Sequence, residues 1–492
     1  MTAKEAFYKV FGEIHDLLEA QQILEWDQQV IMPKGGAEQR ANEVSCLAEI
    51  IHEKITSEKN EEIIANFEKE AQTEWDKAHL REAKKNYEKQ KKIPSSLVAE
   101  KSKRTILAQS VWEKTKPTSD FKTFLPYLDG IISITKEIAK CGGGDNPYNF
   151  LLDDYEPYMT AEELDPLFES LKKGLKELVR KYAVKDAEKR KEFVSKFVSS
   201  SNQEKIGRFL LGEMGFDFER GRMDISAHPF TSGTMDDVRM TTRYNEKFLP
   251  TSLFGVLHEG GHSLYEQGLD KNNFRFPAGQ ACSLGIHESQ SRFWENIVGR
   301  SKGFWDAYFE KINQLSGNAF DGVSLDDFYK AINCVSPTFI RVEADEVTYN
   351  LHIILRYEIE KEIINGSLKA KDLPEVWNEK FFDFFGIKPP TFSLGVMQDV
   401  HWSVGLIGYF PTYTLGNLYS GMIKETIEKE VEPLDEISRK KRLKEVRKWL
   451  QERIHSKGRL YSPKELISIV TGEKMSEKPF LDYIEKKYDS LI

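Results

Sequence analysis

Residues Leu253-Phe254-Gly255-Val256-Leu257-His258-Glu259-Gly260-Gly261-His262-Ser263-Leu264-Tyr265 read as a helix carrying the pattern H-E-x-x-H. Histidines four apart on a helix face one side about a turn apart, so both imidazoles can ligate a single zinc ion. Glu259 falls beside them, where a carboxylate that is not itself a ligand can accept a proton from a water acidified by the metal. With ten histidines in 492 residues, a chance occurrence has odds on the order of 10⁻², taking glutamate at about a tenth of positions. The plainer alternative is a pair of surface or core histidines on a helix. Gly260 and Gly261 weigh modestly against it, because each costs about 1 kcal/mol relative to alanine inside a helix. Close approach of backbone or substrate is one compensation.

A catalytic zinc needs a third protein ligand and an open position. A third histidine ten residues after the first is ruled out, since that position is Gly268. Downstream, Ser283-Leu284-Gly285-Ile286-His287-Glu288-Ser289-Gln290-Ser291-Arg292-Phe293-Trp294-Glu295 reads as a second helix, and Glu288 there completes a two-histidine, one-glutamate set. Spacing alone leaves two alternatives open. Glu288 can instead pair with Arg292 at i,i+4, and His287 is a rival ligand. Adjacent helical residues point about 100° apart, so only one of His287 and Glu288 should face the metal.

The rest of the chain narrows the class. At 492 residues, with 40% hydrophobic and 30% charged residues, it is long enough to bury a large core in more than one lobe. Seventy lysines and arginines against 79 acids give a net charge of −9, the wrong sign for a protein that binds nucleic acid through its bulk field. The run Lys84–Lys92 is interleaved with glutamate and reads as a solvated helix face. Cys46, Cys141, Cys282 and Cys334 lie far apart without C-x-x-C spacing, which fits a reducing compartment better than a disulfide framework or thiolate zinc site. Glu5, Glu13 and Asp16 interrupt any signal-peptide core, and no segment has the roughly 18 apolar residues of a membrane span. The expectation is a cytoplasmic protein without a membrane or nucleic-acid partner.

Helical periodicity dominates. Apolar residues from Phe7 to Ile51 predict a pair of amphipathic helices broken at Pro33-Lys34-Gly35-Gly36. Thr160-Ala161-Glu162-Glu163 predicts a capping box opening a helix that runs to about Arg180. Between about 218 and 250 the character changes, and Val238-Arg239-Met240-Thr241-Thr242-Arg243-Tyr244 alternates like a half-buried strand. The predicted class is mainly α, with a small β-sheet just before the H-E-x-x-H helix. No repeat or linker appears, so one helical unit is expected over 1–492. Within it, 1–150 forms an N-terminal helical subdomain, a candidate groove wall or lid, and 151–492 the catalytic body.

Together with His287-Glu288-Ser289-Gln290, the H-E-x-x-H segment resembles the carboxypeptidase Taq family of metallocarboxypeptidases. Further family-like segments follow in order: His228-Pro229-Phe230, Asp237-Val238-Arg239-Met240-Thr241, Ile340-Arg341-Val342-Glu343-Ala344-Asp345 and Gly395-Val396-Met397-Gln398-Asp399-Val400-His401-Trp402. Trp26-Asp27-Gln28 through Gly36-Ala37, and Gly408-Tyr409-Phe410-Pro411-Thr412-Tyr413, extend the likeness over nearly the whole chain. The resemblance implies a saddle-like helical subunit with a deep groove, usually a homodimer, that removes single residues from peptide C-termini with broad specificity. It also implies Glu288 as the third ligand and one zinc ion per subunit, with cobalt a possible substitute.

For such an enzyme, Glu259 would deprotonate the attacking water and pass the proton to the leaving amine. The substrate's free carboxylate calls for an arginine fork. Arg341 is the first choice, against a structural ion pair with Glu343 or Asp345. Arg239 is the second, and a strand arginine paired with Asp237 is the stronger alternative for it. Tyr413 and His228 are the favoured donors to the developing oxyanion, with His401 and Tyr409 behind them. Trp402 and Phe230 read as wall or core, and Asp399 as a group orienting a histidine. Two rival functions remain: an oligopeptidase cutting internally with the same machinery, and a zinc-stabilised helical scaffold that binds peptides without cleaving them.

Overall fold

The computed structural model describes residues 1–491. Its N-terminal helix Ala3–Val30 opens on a reciprocal cap: Thr2 Oγ1 accepts from Glu5 N at 3.1 Å, and Glu5 Oε2 accepts from Thr2 N at 2.8 Å. The break at Pro33 becomes a single 3₁₀ turn, Lys34–Gly36, before the helix Ala37–Thr56. Helix Ala161–Tyr182 starts where its capping box predicts, Glu163 Oε2 accepting from Thr160 N at 3.2 Å. Helices make up most of the chain, so the mainly α class is observed.

The predicted sheet is present with three strands: β1 (Gly221–Ile225), β2 (Thr231–Ser232) and β3 (Val238–Thr242). Its order is β1-β3-β2, with β1 parallel and β2 antiparallel to the central β3. Val238 and Met240 are buried, and β3 packs on the helix Pro250–Gln267, which carries H-E-x-x-H. Proline at the first position suits a helix start, where its missing N–H costs nothing. Along that helix Ser252, Phe254, Val256, Leu257, Glu259, Leu264 and Gln267 are all buried, so nearly its whole circumference is wrapped by protein.

The chain folds into two compact units. One comprises Met1–Gln90, Glu188–Asn333 and Tyr419–Met475, and the other Lys91–Ala187, Cys334–Leu418 and the residues from Ser476 onward. The expected boundary at residue 150 does not coincide with this division, since residues 1–90 share a unit with the H-E-x-x-H helix. Within that unit the N-terminal helix touches the sheet: Gly233 N donates to Gln22 Oε1 at 2.9 Å, and Trp26 lies under the guanidinium groups of Arg222 and Arg239. The second unit is built around Trp377, Phe381 and Phe385 packed with helix Tyr349–Asn365.

Two glycines of the H-E-x-x-H helix differ in what surrounds them. A β-carbon on Gly260 would meet the ends of Leu211 and Met214, at 2.8 and 3.0 Å. On Gly261 it would meet backbone of the helix Leu284–Arg292, Gln290 O at 2.4 Å and Ser291 Cα at 2.7 Å, which cannot swing away. Gly261→Ala is therefore expected to destabilise the protein by about 1–3 kcal/mol, as overpacking does. Gly260→Ala should cost less, and urea unfolding of both variants measures the difference.

His455 is buried beside Gly268 with its Nε2 2.9 Å from Gln290 Oε1. Burial, with Arg447 and His287 adding to it, pushes its imidazole down to about 3. The unfolded chain, with histidine near 6.5, takes up the proton first, so this contribution is intact above about pH 6.5 and lost as the pH falls from there. By pH 5 the loss amounts to about 2 kcal/mol. The fall in urea midpoint between pH 7.5 and 5 should be correspondingly shallower in His455→Gln.

Candidate metal centre

Helical spacing puts His258 and His262 on one face of Pro250–Gln267, and the crossing at Gly261 brings Glu288 of Leu284–Arg292 against that face. Glu288 Oε2 lies 3.7 Å from His258 Nε2 and 3.4 Å from His262 Nε2, and one ligand atom from each residue falls within 4.8 Å of the others. An ion bonded at about 2.0–2.2 Å to three atoms holds them roughly 3.4 Å apart at tetrahedral angles, so this set fits a divalent ion. Among the described residues no other cluster of histidine, cysteine and acidic side chains has that spacing.

The two sequence readings of Glu288 prove compatible, because each uses a different oxygen. Oε1 accepts from Arg292 Nε at 2.7 Å, while Oε2 faces the histidines and accepts from Ser291 Oγ at 3.0 Å. Burial alone would raise this carboxyl, but Arg292, His258 and His262 outweigh it and hold Glu288 well below the usual carboxylate range. Glu295 likewise falls to about 2, burial opposing and Arg292 and His258 prevailing. Burial pushes His262 down to about 3, which keeps it neutral, the form that ligates. His258 moves the other way, because Glu288 and Glu295 overcome its burial.

Each ligand ring is held from behind. His258 Nδ1 sits 2.8 Å from Glu295 Oε2, a partner presented by the π-helical turn Phe293–Val298 that follows Arg292. His262 Nδ1 sits 2.6 Å from His287 Nδ1, and His287 Nε2 lies 2.7 Å from Glu266 Oε1. His287 thus stands behind the candidate ligand His262, with one ring nitrogen on the Nδ1 of His262 and the other on Glu266. Glu259 is 6% exposed, and its Oε2 accepts from Thr231 Oγ1 of β2 at 2.7 Å. Burial raises this carboxyl against the pull of His258 and the Thr231 hydroxyl, making it a stronger base than a surface glutamate.

The remaining candidates divide between the units. In the first, His228 is exposed in the turn after β1, a turn pinned by Ser226 Oγ donating to the His228 carbonyl. Arg239 is bidentate to Asp237, at 2.8 Å for both bonds, and stacks over Trp26. The second unit contains Arg341, His401 and Tyr413. Arg341 is buried, with Nε and Nη2 on Asp399 Oδ1 at 3.0 and 2.9 Å and Nη1 on Tyr349 at 3.0 Å. Its acidic partner is thus Asp399, and neither Glu343 nor Asp345; Asp345 instead accepts from the backbone N–H groups of Ser336, Val347 and Thr348. Asp399, expected to orient a histidine, spends its hydrogen bonds on Arg341 and on Arg356, whose Nε donates to Oδ2 at 2.7 Å.

His401 Nε2 lies 3.1 Å from the Tyr413 hydroxyl, while its Nδ1 is buried with no hydrogen-bond partner among the described residues. Burial first, then Arg341, depresses its imidazole to about 3. Trp402 packs in the core with its indole N–H on Glu360 Oε1 at 2.9 Å. Glu360 also accepts from Tyr148 and the Gly408 N–H, and burial raises it to about 7. Thr231, Glu266, Glu295, Tyr349 and Arg356 escaped sequence reasoning. Only Arg356 left a signal, a lone charge in the apolar run Ile353-Ile354-Leu355-Arg356-Tyr357.

Comparison with known proteins places the chain in a family. The chain is 43% identical to thermostable carboxypeptidase 1 of Thermus thermophilus over 481 residues, 95% of this chain and 94% of that one. It is 39% identical to carboxypeptidase 1 of Bacillus subtilis, covering 100% and 99% of the two chains. The crystal structure of an M32 carboxypeptidase from Deinococcus radiodurans superposes with a TM-score of 0.94 at 32% identity, covering 99% of both. The family model described as carboxypeptidase Taq (M32) metallopeptidase matches residues 6–488, and with fold and relatives in agreement the chain belongs to that family.

Proposed function

We propose that this protein is a zinc-dependent carboxypeptidase, able to use cobalt, that hydrolyses single residues from peptide C-termini with broad specificity. The observation that carries the reading is a buried, basic Glu259 one residue from His258, in a site whose three ligand atoms have the spacing of a divalent ion. A metal held by His258, His262 and Glu288 supplies Lewis acidity to the scissile carbonyl and to water. Glu259, steadied by Thr231, takes the proton of the attacking water and returns it to the leaving amine. A purely structural metal site has no use for such a base, which argues against the scaffold reading.

The free carboxylate of the substrate is assigned to Arg341. Arg341 and Arg356 share the one carboxylate of Asp399, so the buried cluster carries an excess of positive charge that an incoming anion would neutralise. Arg239 is a weaker candidate because Asp237 already occupies its fork. Tyr413, His401 and His228 are proposed as hydrogen-bond donors to the substrate and its developing oxyanion. A homodimer in the cytoplasm completes the proposal. Cys46, Cys141, Cys282 and Cys334 form no disulfide among the described residues, which suits a reducing compartment.

Mass spectrometry of a free-acid peptide and its C-terminal amide, incubated with zinc- or cobalt-loaded protein, tests this. A ladder losing one residue at a time from the acid only is expected. Internal fragments from both peptides would instead indicate an oligopeptidase. Glu259→Gln should lower kcat by about 10²–10⁴, the usual worth of a general base, with metal content unchanged. Arg341→Lys keeps the charge but loses the planar fork. It is expected to lower kcat/KM for the free acid by about tenfold to a hundredfold, the worth of a charge-assisted bond, and to narrow the gap between acid and amide.

A further inference from the structure

His262 and Glu266 are one turn apart on the same face of the H-E-x-x-H helix, and His287, from the neighbouring helix, inserts its ring between them. The contacts run in one line, His262 Nδ1 to His287 Nδ1 at 2.6 Å, then His287 Nε2 to Glu266 Oε1 at 2.7 Å. Glu266 is 9% exposed, and its other oxygen, Oε2, is buried with no hydrogen-bond partner among the described residues. The burial of this carboxylate is therefore compensated chiefly at His287, an arrangement that costs stability unless it serves the site.

We infer that Glu266 is a positioning residue that acts through His287 to fix which nitrogen of His262 carries the proton. The inference rests on His258, His262 and Glu288 being the metal ligands. An ionised carboxylate only accepts, so His287 must carry its hydrogen on Nε2. A neutral imidazole has one donor and one acceptor, which makes His287 Nδ1 the acceptor. His262 Nδ1 must then be the donor, and its Nε2 is left with a bare lone pair on the side of Glu288, 3.4 Å away. Each step follows from counting protons along the line. Without the carboxylate, His287 is free to turn its hydrogen toward His262, and the tautomer with a protonated Nε2, which cannot ligate, becomes populated.

The polarity of the line predicts which substitutions it tolerates. Gln at 266 keeps an amide oxygen that accepts from His287, whereas Leu removes the acceptor. Gln at 287 offers an oxygen to His262 and an NH₂ to Glu266, reproducing the polarity, whereas Phe does not. The measurement is the rate of zinc release from loaded protein into a chelator, with the visible spectrum of the cobalt-loaded protein as a second readout. Glu266→Leu and His287→Phe should release zinc about ten- to a hundredfold faster, the usual range for losing such a supporting partner, and shift the cobalt bands. Glu266→Gln and His287→Gln should stay near the parent protein in both.

Release unchanged in Glu266→Leu and His287→Phe, or equally fast in all four variants, overturns the relay. If one of the apolar variants does not fold, the two glutamine variants still decide the matter, since fast release from them has the same meaning. His258→Ala serves as a control for the ligand set. Fast release from it with slow release from the apolar relay variants refutes only the relay, whereas slow release from His258→Ala refutes the ligand assignment itself.

Discussion

Two helices cross at Gly261 with no side chain between their backbones, and the candidate metal centre depends on that contact. The H-E-x-x-H helix supplies two of the proposed ligands one turn apart, and the proposed third has to come from elsewhere and stay within a few ångströms. A β-carbon at Gly261 would stand 2.4 Å from the Gln290 carbonyl oxygen, two residues from Glu288. Glycine therefore acts as the spacer that sets how near Glu288 comes to His258 and His262. The conformational cost of glycine within a helix is offset by that proximity. The same crossing lets His287 reach between His262 and Glu266, so ligation and its support share one structural cause.

The two units handle buried charge differently. Around the metal ligands, acids and histidines face each other and a positive ion would complete the balance; Arg292 takes one oxygen of Glu288 and leaves the other toward the rings. Around Asp399 the surplus is positive, with two arginines on one carboxylate. Buried charge without a partner is costly, so each surplus is a feature that its own unit has to compensate.

Local patterns made much of this legible. The paired histidines, the strand at Val238–Thr242, the break at Pro33 and the capping box at Thr160 each depend on residues within a few positions of one another, and such signals survive in a linear sequence. The cost of two glycines in a helix also pointed to a close approach, which Gly261 makes. Pairings set by tertiary contact were not legible. Asp399 lies 58 residues from Arg341, so the nearer acids Glu343 and Asp345 drew attention first. His287 and Glu288 are adjacent, and only the rotation of their helix against its neighbour determines that Glu288 faces the ligand set while His287 stands behind it. The parallel pairing of β1 with β3 was equally hidden, because β2 intervenes in the chain but not between the paired strands.

The division into two units has a consequence for synthesis of the protein. The chain passes from one unit to the other after residues 90, 187, 333, 418 and 475, so each is assembled from three separated segments. Neither unit can be completed on the ribosome early, since one waits for the segment from Tyr419 and the other for the segment from Ser476. The usual order in which an N-terminal domain folds before the next emerges is closed to this topology. Helices made during that interval, including the H-E-x-x-H helix, have to wait for late-arriving partners such as His455, which packs on Tyr265 and beside Gly268.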